Sequence, residues 1–337
     1  MGRLGYLILA VLALFSGAVH AAAPAIVVRY ASVGGTTDAA LYIGMEYGLF
    51  RQAGIDFRYQ RLDSAAALLG AIATDQLDVA GVSLTPGLFA SAQQNIRLRV
   101  VGDKESILPK FAATQLLARP EFAAATTRES LQRLKGKTIA VSGKTSVSHF
   151  LLGTLLKKHG MTTADVRIVE LAYTAQIAAL RNKAIDAGVM LEPFLSQAIV
   201  NGDAKSISDF VEIVPSSGAS IVPIVYSEKF AANRKAGDAF MLAYMRAARI
   251  YMDAFNKGVG KDRVIQTVAK HTNFPLAIIR DGNPVGFAAN QEVDIGFLEE
   301  AQRFYLEQRY LRGSTDVSKL VDSSFAREAV RVLGPYR

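Results

Sequence analysis

Two stretches of this chain follow one plan. The first opens with the β-rich run Ile26–Ala31, turns at Gly34–Thr37 (GGTT) and continues through DAALYIGMEYGL, GIDFRYQ, AAALLGAIATD, QLDVAGV and SLTPGLFASA. The second opens at Thr138–Ser142, turns at Gly143–Ser146 (GKTS) and runs through a helical segment to His159, then VRIVEL, AQIAALRNK, AIDAGVM and LEPFLSQAIV. The landmarks are evenly spaced. Gly34 to Asp78 is 44 residues and Gly143 to Asp186 is 43; Gly34 to Pro86 is 52 and Gly143 to Pro193 is 50. Alternating strands and helices of these lengths predict largely parallel sheets with helices on both faces. The fold class expected is therefore α/β, with two Rossmann-like lobes of mixed, mostly parallel sheets.

Between and after the halves lie two extended runs, FAATQLLARP and GASIVPIVYS. They read as a two-strand hinge. The expected division is 24–117 plus 224–337 for one lobe and 118–223 for the other. Local signals place helix starts at Ser64, Thr85, Thr126 (with Glu129 three residues on) and Thr174. The prolines Pro86 and Pro193 suit a first helical position. Phe240, Tyr244, Ala247, Tyr251 and Phe255, and later Phe297, Ala301, Phe304 and Gln308, recur at helical spacing and read as helices packing back onto the first lobe.

Open α/β sheets bind ligands beyond the carboxyl ends of their strands. Each half then supplies a pair of loops: Gly34–Thr37 with Ser83–Thr85, and Gly143–Ser146 with Leu191–Glu192. Turns of this kind aim unpaired N–H groups and the positive end of a helix at one space, which favours an anion. Gly-Lys-Thr occurs twice, but a phosphate-binding P-loop needs a glycine five residues earlier. Those positions hold Thr138 and Leu131, so no nucleotide site is expected.

The first 23 residues read as a secretory signal, with Arg3 ahead of the apolar run Leu4–Phe15 and small residues before a cleavage point after Ala21 or Ala23. Cysteine is absent, which excludes disulfides, thiol nucleophiles, thiolate metal sites and a lipid anchor on cysteine. Net charge is +8, with the basic residues scattered, Lys104 and Lys144 among them, rather than set in a stripe with aromatics. Nucleic acid is therefore not expected as a partner, while a mild positive field suits anions. No His, Asp and Glu stand at metal-ligand spacing. His149 follows Ser146 and Ser148 without an oriented acid, so no hydrolytic triad is expected.

The ordered runs ALYIGMEYGLFRQAGIDFRY, LLGAIATDQLDVAGVSLTPGL, LQRLKGKTIAV, IAALRNKAIDAGVMLEPF and YSEKF resemble the class II periplasmic binding proteins of ABC importers. The resemblance spans nearly the whole chain after the signal. It is nearest to the group serving sulfonates, taurine, nitrate and related anions, which also includes binders of thiamine pyrimidine precursors. It implies a periplasmic, monomeric, non-enzymatic protein without a cofactor. Such a protein closes by hinge bending around a small solute and docks on a permease with its ATPase subunit. The ligand loops carried over are Gly35–Thr37, Ser83–Thr85, Lys144–Ser146 and Glu192. On this expectation Thr36, Thr37, Ser83, Thr85, Thr145 and Ser146 donate to an acid group, Lys144 adds charge and Tyr173 flanks an apolar part. Glu192 either caps a helix, pairs with Lys144 or receives a donor from the ligand. The alternatives are a pyrimidine or other nitrogen-containing ligand, or service to a periplasmic sensor. Eukaryotic relatives of the thiamine branch are enzymes with a cysteine-rich motif, which this chain lacks.

Overall fold

The computed structural model describes residues 25–94 and 96–336, so the expected signal segment, residues 1–23, lies outside the described residues. Among the described residues, ten strands form two five-stranded sheets. The first has the order β2-β1-β3-β10-β4, from β1 (Ile26–Ser32), β2 (Ile55–Arg61), β3 (Val79–Gly81), β4 (Leu98–Ile107) and β10 (Ala219–Ser227). The second has the order β7-β6-β8-β5-β9, from β5 (Thr114–Ala118), β6 (Thr138–Val141), β7 (Arg167–Glu170), β8 (Ala187–Leu191) and β9 (Lys205–Ser208). In each sheet the first three strands of the half are parallel. A strand from elsewhere in the chain then inserts antiparallel, β10 beside β3 and β4, and β5 beside β8 and β9.

These insertions place the crossings earlier than the sequence suggested. Boundaries after 117 and after 223 would cut through β5 and β10, whereas β5 pairs wholly within the second sheet and β10 within the first. Their ladder hydrogen bonds fix each strand to one lobe, so the chain changes lobe ahead of Thr114 and ahead of Ala219.

The duplicated aspartates explain the matched spacings. Asp78 accepts the backbone N–H of Arg29 at 2.8 Å and returns its own to Arg29 O at 2.9 Å. Asp186 does the same with Thr138, both at 2.8 Å. An arginine binds each carboxylate, Arg29 on Asp78 and Arg119 on Asp186. Each aspartate thus locks the third strand of its half to the first, a structural role.

Ser64 and Thr126 cap as expected, accepting from Ala67 N and Glu129 N at 3.2 Å each. Thr174 does not: the cap position falls two residues earlier, at Ala172, which has no side-chain acceptor, and the helix is Tyr173–Arg181. Thr85 sits at the cap position of Pro86–Ala90 without a side-chain cap bond. Pro193 is itself the cap residue of Phe194–Val200, after a cis peptide bond.

The long helix Arg234–Asn256 lies on the first lobe, contacting the helices Ala39–Glu46 and Ser324–Leu333. Phe240 there is fully enclosed, among Tyr30, Phe50, Phe57 and Tyr226; burying such a side chain contributes about 1.5–3 kcal/mol. The helix Ile295–Glu307 departs from expectation. It packs on both lobes, against Pro86–Ala90 of the first and Val147–Lys158 of the second. Gly153 makes the second contact possible, because a Cβ there would lie 2.2 Å from the Phe304 ring. Among the described residues no helix is long and apolar enough to cross a membrane.

Candidate functional site

The first loop follows β1. Gly34 and Gly35 have φ of +83° and +95°, a region open to glycine but strained for other residues. They turn the chain into the short turn Thr36–Asp38 and the helix Ala39–Glu46. Beneath the loop is a buried ion pair. Asp38 Oδ1 lies 2.8 Å from Lys104 Nζ, with side chains 0% and 1% exposed. Ser32 and Tyr59 donate to the other aspartate oxygen. Burial and the Asp38 charge push the Tyr42 phenol up to about 12 and that of Tyr59 further, so both remain donors. Lys104 reaches across Gly81, where a Cβ would stand 2.2 Å from the lysine chain. Its Nζ also donates to Thr37 Oγ1 at 2.6 Å. That bond occupies the threonine oxygen as an acceptor and leaves its O–H free to donate.

Thr36 Oγ1 donates across the gap between the lobes to Glu192 O, at 3.3 Å. The turn after β1 and the turn after β8 therefore face each other. Ser83 and Thr85 are half-buried, and their hydroxyls have no partner among the described residues. In the second lobe Lys144 and Thr145 are exposed, likewise with unpaired side-chain ends. Ser146 is engaged internally, donating to Gly143 O at 2.6 Å. The Lys144 amide binds Glu170 Oε2 at 3.0 Å.

His149 does not open into the gap. It is 2% exposed, and its Nδ1–H donates to Lys144 O at 2.7 Å. Its ring packs edge-on against Phe304 at 5.1 Å. Burial lowers its pKa, which keeps it neutral. It braces the GKTS turn, and its ring makes no bond to the Ser146 hydroxyl, which pairs with Gly143 O and Ser148 Oγ. No group of His, Asp and Glu among the described residues is arranged to hold a metal ion.

Glu192 is not paired with Lys144; its carboxylate is held by donors of the protein itself. Its carboxylate is 3% exposed. Oε1 accepts from Asn283 N at 2.7 Å, Asn283 Nδ2 at 2.8 Å and Ser196 Oγ at 2.7 Å. Burial raises its pKa and these donors oppose the rise. The cavity beside it, lined by Thr36, Tyr251 and Gly282 among others, is about 20 Å³, room for a single water. Glu192 clasps the second lobe to the segment around Asn283.

Tyr173 is half-buried and stacks on Phe194, ring centres 5.7 Å apart. Burial raises its phenol pKa; a hydrogen bond with Ser142 opposes this and the Glu105 charge adds to it. Glu105 and Thr114 are residues the sequence did not single out. Glu105 lies on β4 of the first lobe, and Thr114 Oγ1, on β5 of the second, donates to its Oε1 at 3.1 Å.

Residues 36–254 match the family described as NMT1/THI5 like. The chain belongs to that family. No curated protein matches it. Among solved structures, the alkanesulfonate-binding protein SsuA of Xanthomonas axonopodis pv. citri, bound to MOPS, is 21% identical with a TM-score of 0.69, covering 89% of this chain and 99% of its own. The periplasmic nitrate-binding protein NrtA of Synechocystis PCC 6803 is 15% identical with a TM-score of 0.72, covering 92% and 89%. The desulfurization enzyme DszB shares the fold at 15% identity and a TM-score of 0.64, covering 91% and 99%. This NMT1/THI5-like chain thus has the two-lobed architecture of periplasmic binding proteins, on which both capture and catalysis occur. The distinction rests on the site.

Proposed function

We propose that this protein is the solute-capturing component of an ABC importer in the periplasm. It holds a small organic anion, of sulfonate or carboxylate type, between its lobes and presents it to a permease with its ATPase. The observation that carries the reading is the apposition of the two strand-end turns, joined by Thr36 and Glu192. On this reading Thr37, Ser83, Thr85, Thr145 and Lys144 supply donors at that seam. Gly35, Thr36 and Ser146 shape the turns, and Tyr173 borders the seam. Micromolar capture needs about −8 kcal/mol. Charge-assisted hydrogen bonds contribute about 1.5–3 kcal/mol each, so four or five neutral donors plus apolar burial exceed that figure, without an arginine clamp, before ordering and lobe-closure costs are subtracted.

Native mass spectrometry of the purified protein identifies the co-purifying solute. Replacing Thr37 and Thr145 together with alanine lowers its affinity at least tenfold in calorimetry, with the fold retained by circular dichroism. Unchanged affinity in that folded variant refutes the site.

A further inference from the structure

Four carboxylates lie at the seam, in a protein read as binding an anion. Three are accounted for. Asp38 is neutralised by Lys104 and accepts from Ser32 and Tyr59. Glu192 accepts from Asn283 and Ser196. Glu170, at the end of β7, holds the Lys144 amide. Glu105 is different. Its residue is 4% exposed, yet its carboxylate has one hydrogen bond among the described residues, from Thr114 to Oε1. Oε2 has none. It is not one of the fully enclosed orphaned atoms, such as Asp103 Oδ1 or the Tyr244 hydroxyl, so solvent reaches it.

The position of Glu105 matters as much as its missing partner. It stands on the first lobe, bonds to a strand of the second, and its charge acts on Tyr173 at the start of a helix on the far side of the seam. A carboxylate this deeply set, with one acceptor turned to the little solvent that reaches it, gains when a donor from a bound molecule takes that place. Lys104, its neighbour in sequence, is turned away to Asp38 and does not supply one.

We propose that Glu105 Oε2 receives an N–H donor of the captured solute, an amine or amidine-type nitrogen carried on the same molecule as the acid group. This rests on the capture reading and narrows it. The ligand is an amino-bearing acid rather than a simple anion, with its acid end at the threonine turns and its nitrogen beside Tyr173. The electrostatics agree. Burial raises the Glu105 carboxyl to about 7, with Lys104 and Thr114 opposing and Asp103 and Asp38 adding. A cationic nitrogen favours the ionised form, so binding releases a proton near neutral pH. Affinity for such probes falls as pH drops below 7.

The test uses matched probes: short aminoalkanesulfonates and aminocarboxylates against the same chains without nitrogen. Calorimetry compares the parent, Glu105→Gln and Thr114→Val. The expected result is that nitrogen-bearing probes bind the parent at least tenfold more tightly than their partners. Glu105→Gln erases that preference, and Thr114→Val, which removes only the inter-lobe bond, keeps it. If Glu105→Gln retains the preference, or the nitrogen-free anions bind as well as their partners, the inference is overturned and anion capture stands. If no probe of either set binds the parent, both readings fall.

Discussion

Replacing Lys104 with methionine takes the cation from a pair that water does not reach. Its ammonium is 2.8 Å from Asp38 Oδ1, and neither side chain is more than 1% exposed. Removing one member of a buried pair costs about 3–5 kcal/mol, because the partner charge stays behind. Asp38 keeps its donors Ser32 and Tyr59, which places the cost near about 3 kcal/mol on that scale. Methionine still covers Gly81, so little cavity is added. Urea unfolding at pH 7 measures the loss, and Asp38→Asn on top of Lys104→Met recovers most of it. Arg29→Met is the comparison: that arginine is 39% exposed beside Asp78, and its loss costs about 1 kcal/mol or less in ion-pair terms. The Lys104 variant also removes the bond that orients the Thr37 hydroxyl, and so weakens solute binding. A loss no larger than the Arg29 variant's, or no recovery in the double variant, refutes the view that this pair supports the first turn.

Asp103 carries a pH signature. Burial raises its pKa to about 6, against opposing hydrogen bonds from Ser220, Ala288 and Ser106. A carboxyl raised in the fold opposes folding when ionised, so the parent gains stability as pH falls through 6 toward 4. A shift of two units is worth about 3 kcal/mol at most. Asp103→Asn removes this term, and its stability difference from the parent shrinks toward pH 4 in parallel melts; a constant difference contradicts the assignment. Glu192→Ala leaves Asn283 and Ser196 without their acceptor, costs about 1–3 kcal/mol and opens the lobes. Small-angle scattering of the unliganded protein then shows a larger radius of gyration, and an unchanged profile rules out a clasp.

The duplicated architecture was legible because it is written in local periodicity. Strand and helix repeats, the GGTT and GKTS turns and the two aspartates are all short-range signals. The crossings were misplaced because FAATQLLARP and GASIVPIVYS look equally extended whichever lobe they join. Only pairing partners far along the chain decide. Helix Ile295–Glu307 shows a clear apolar face, but a stripe does not say that it serves two lobes. The buried charges were least visible. The run GDKES in β4 reads as a polar surface segment, yet Asp103, Lys104, Glu105 and Ser106 are all buried. Lys104 finds its counter-ion 66 residues away, at Asp38, and no local pattern announces that. For Glu192 the donor that occupies its carboxylate, Asn283, lies 91 residues on.

The strand order carries a consequence for how the molecule is made. All five strands of the second sheet lie between Thr114 and Ser208, so that half is complete in one uninterrupted stretch. The first sheet has a gap between β3 and β4 until β10, ending at Ser227, arrives to fill it. A chain emerging amino end first therefore delivers the pieces of its leading half early and holds them unfinished, with two strand edges open, while the trailing half assembles. The half that starts first finishes last.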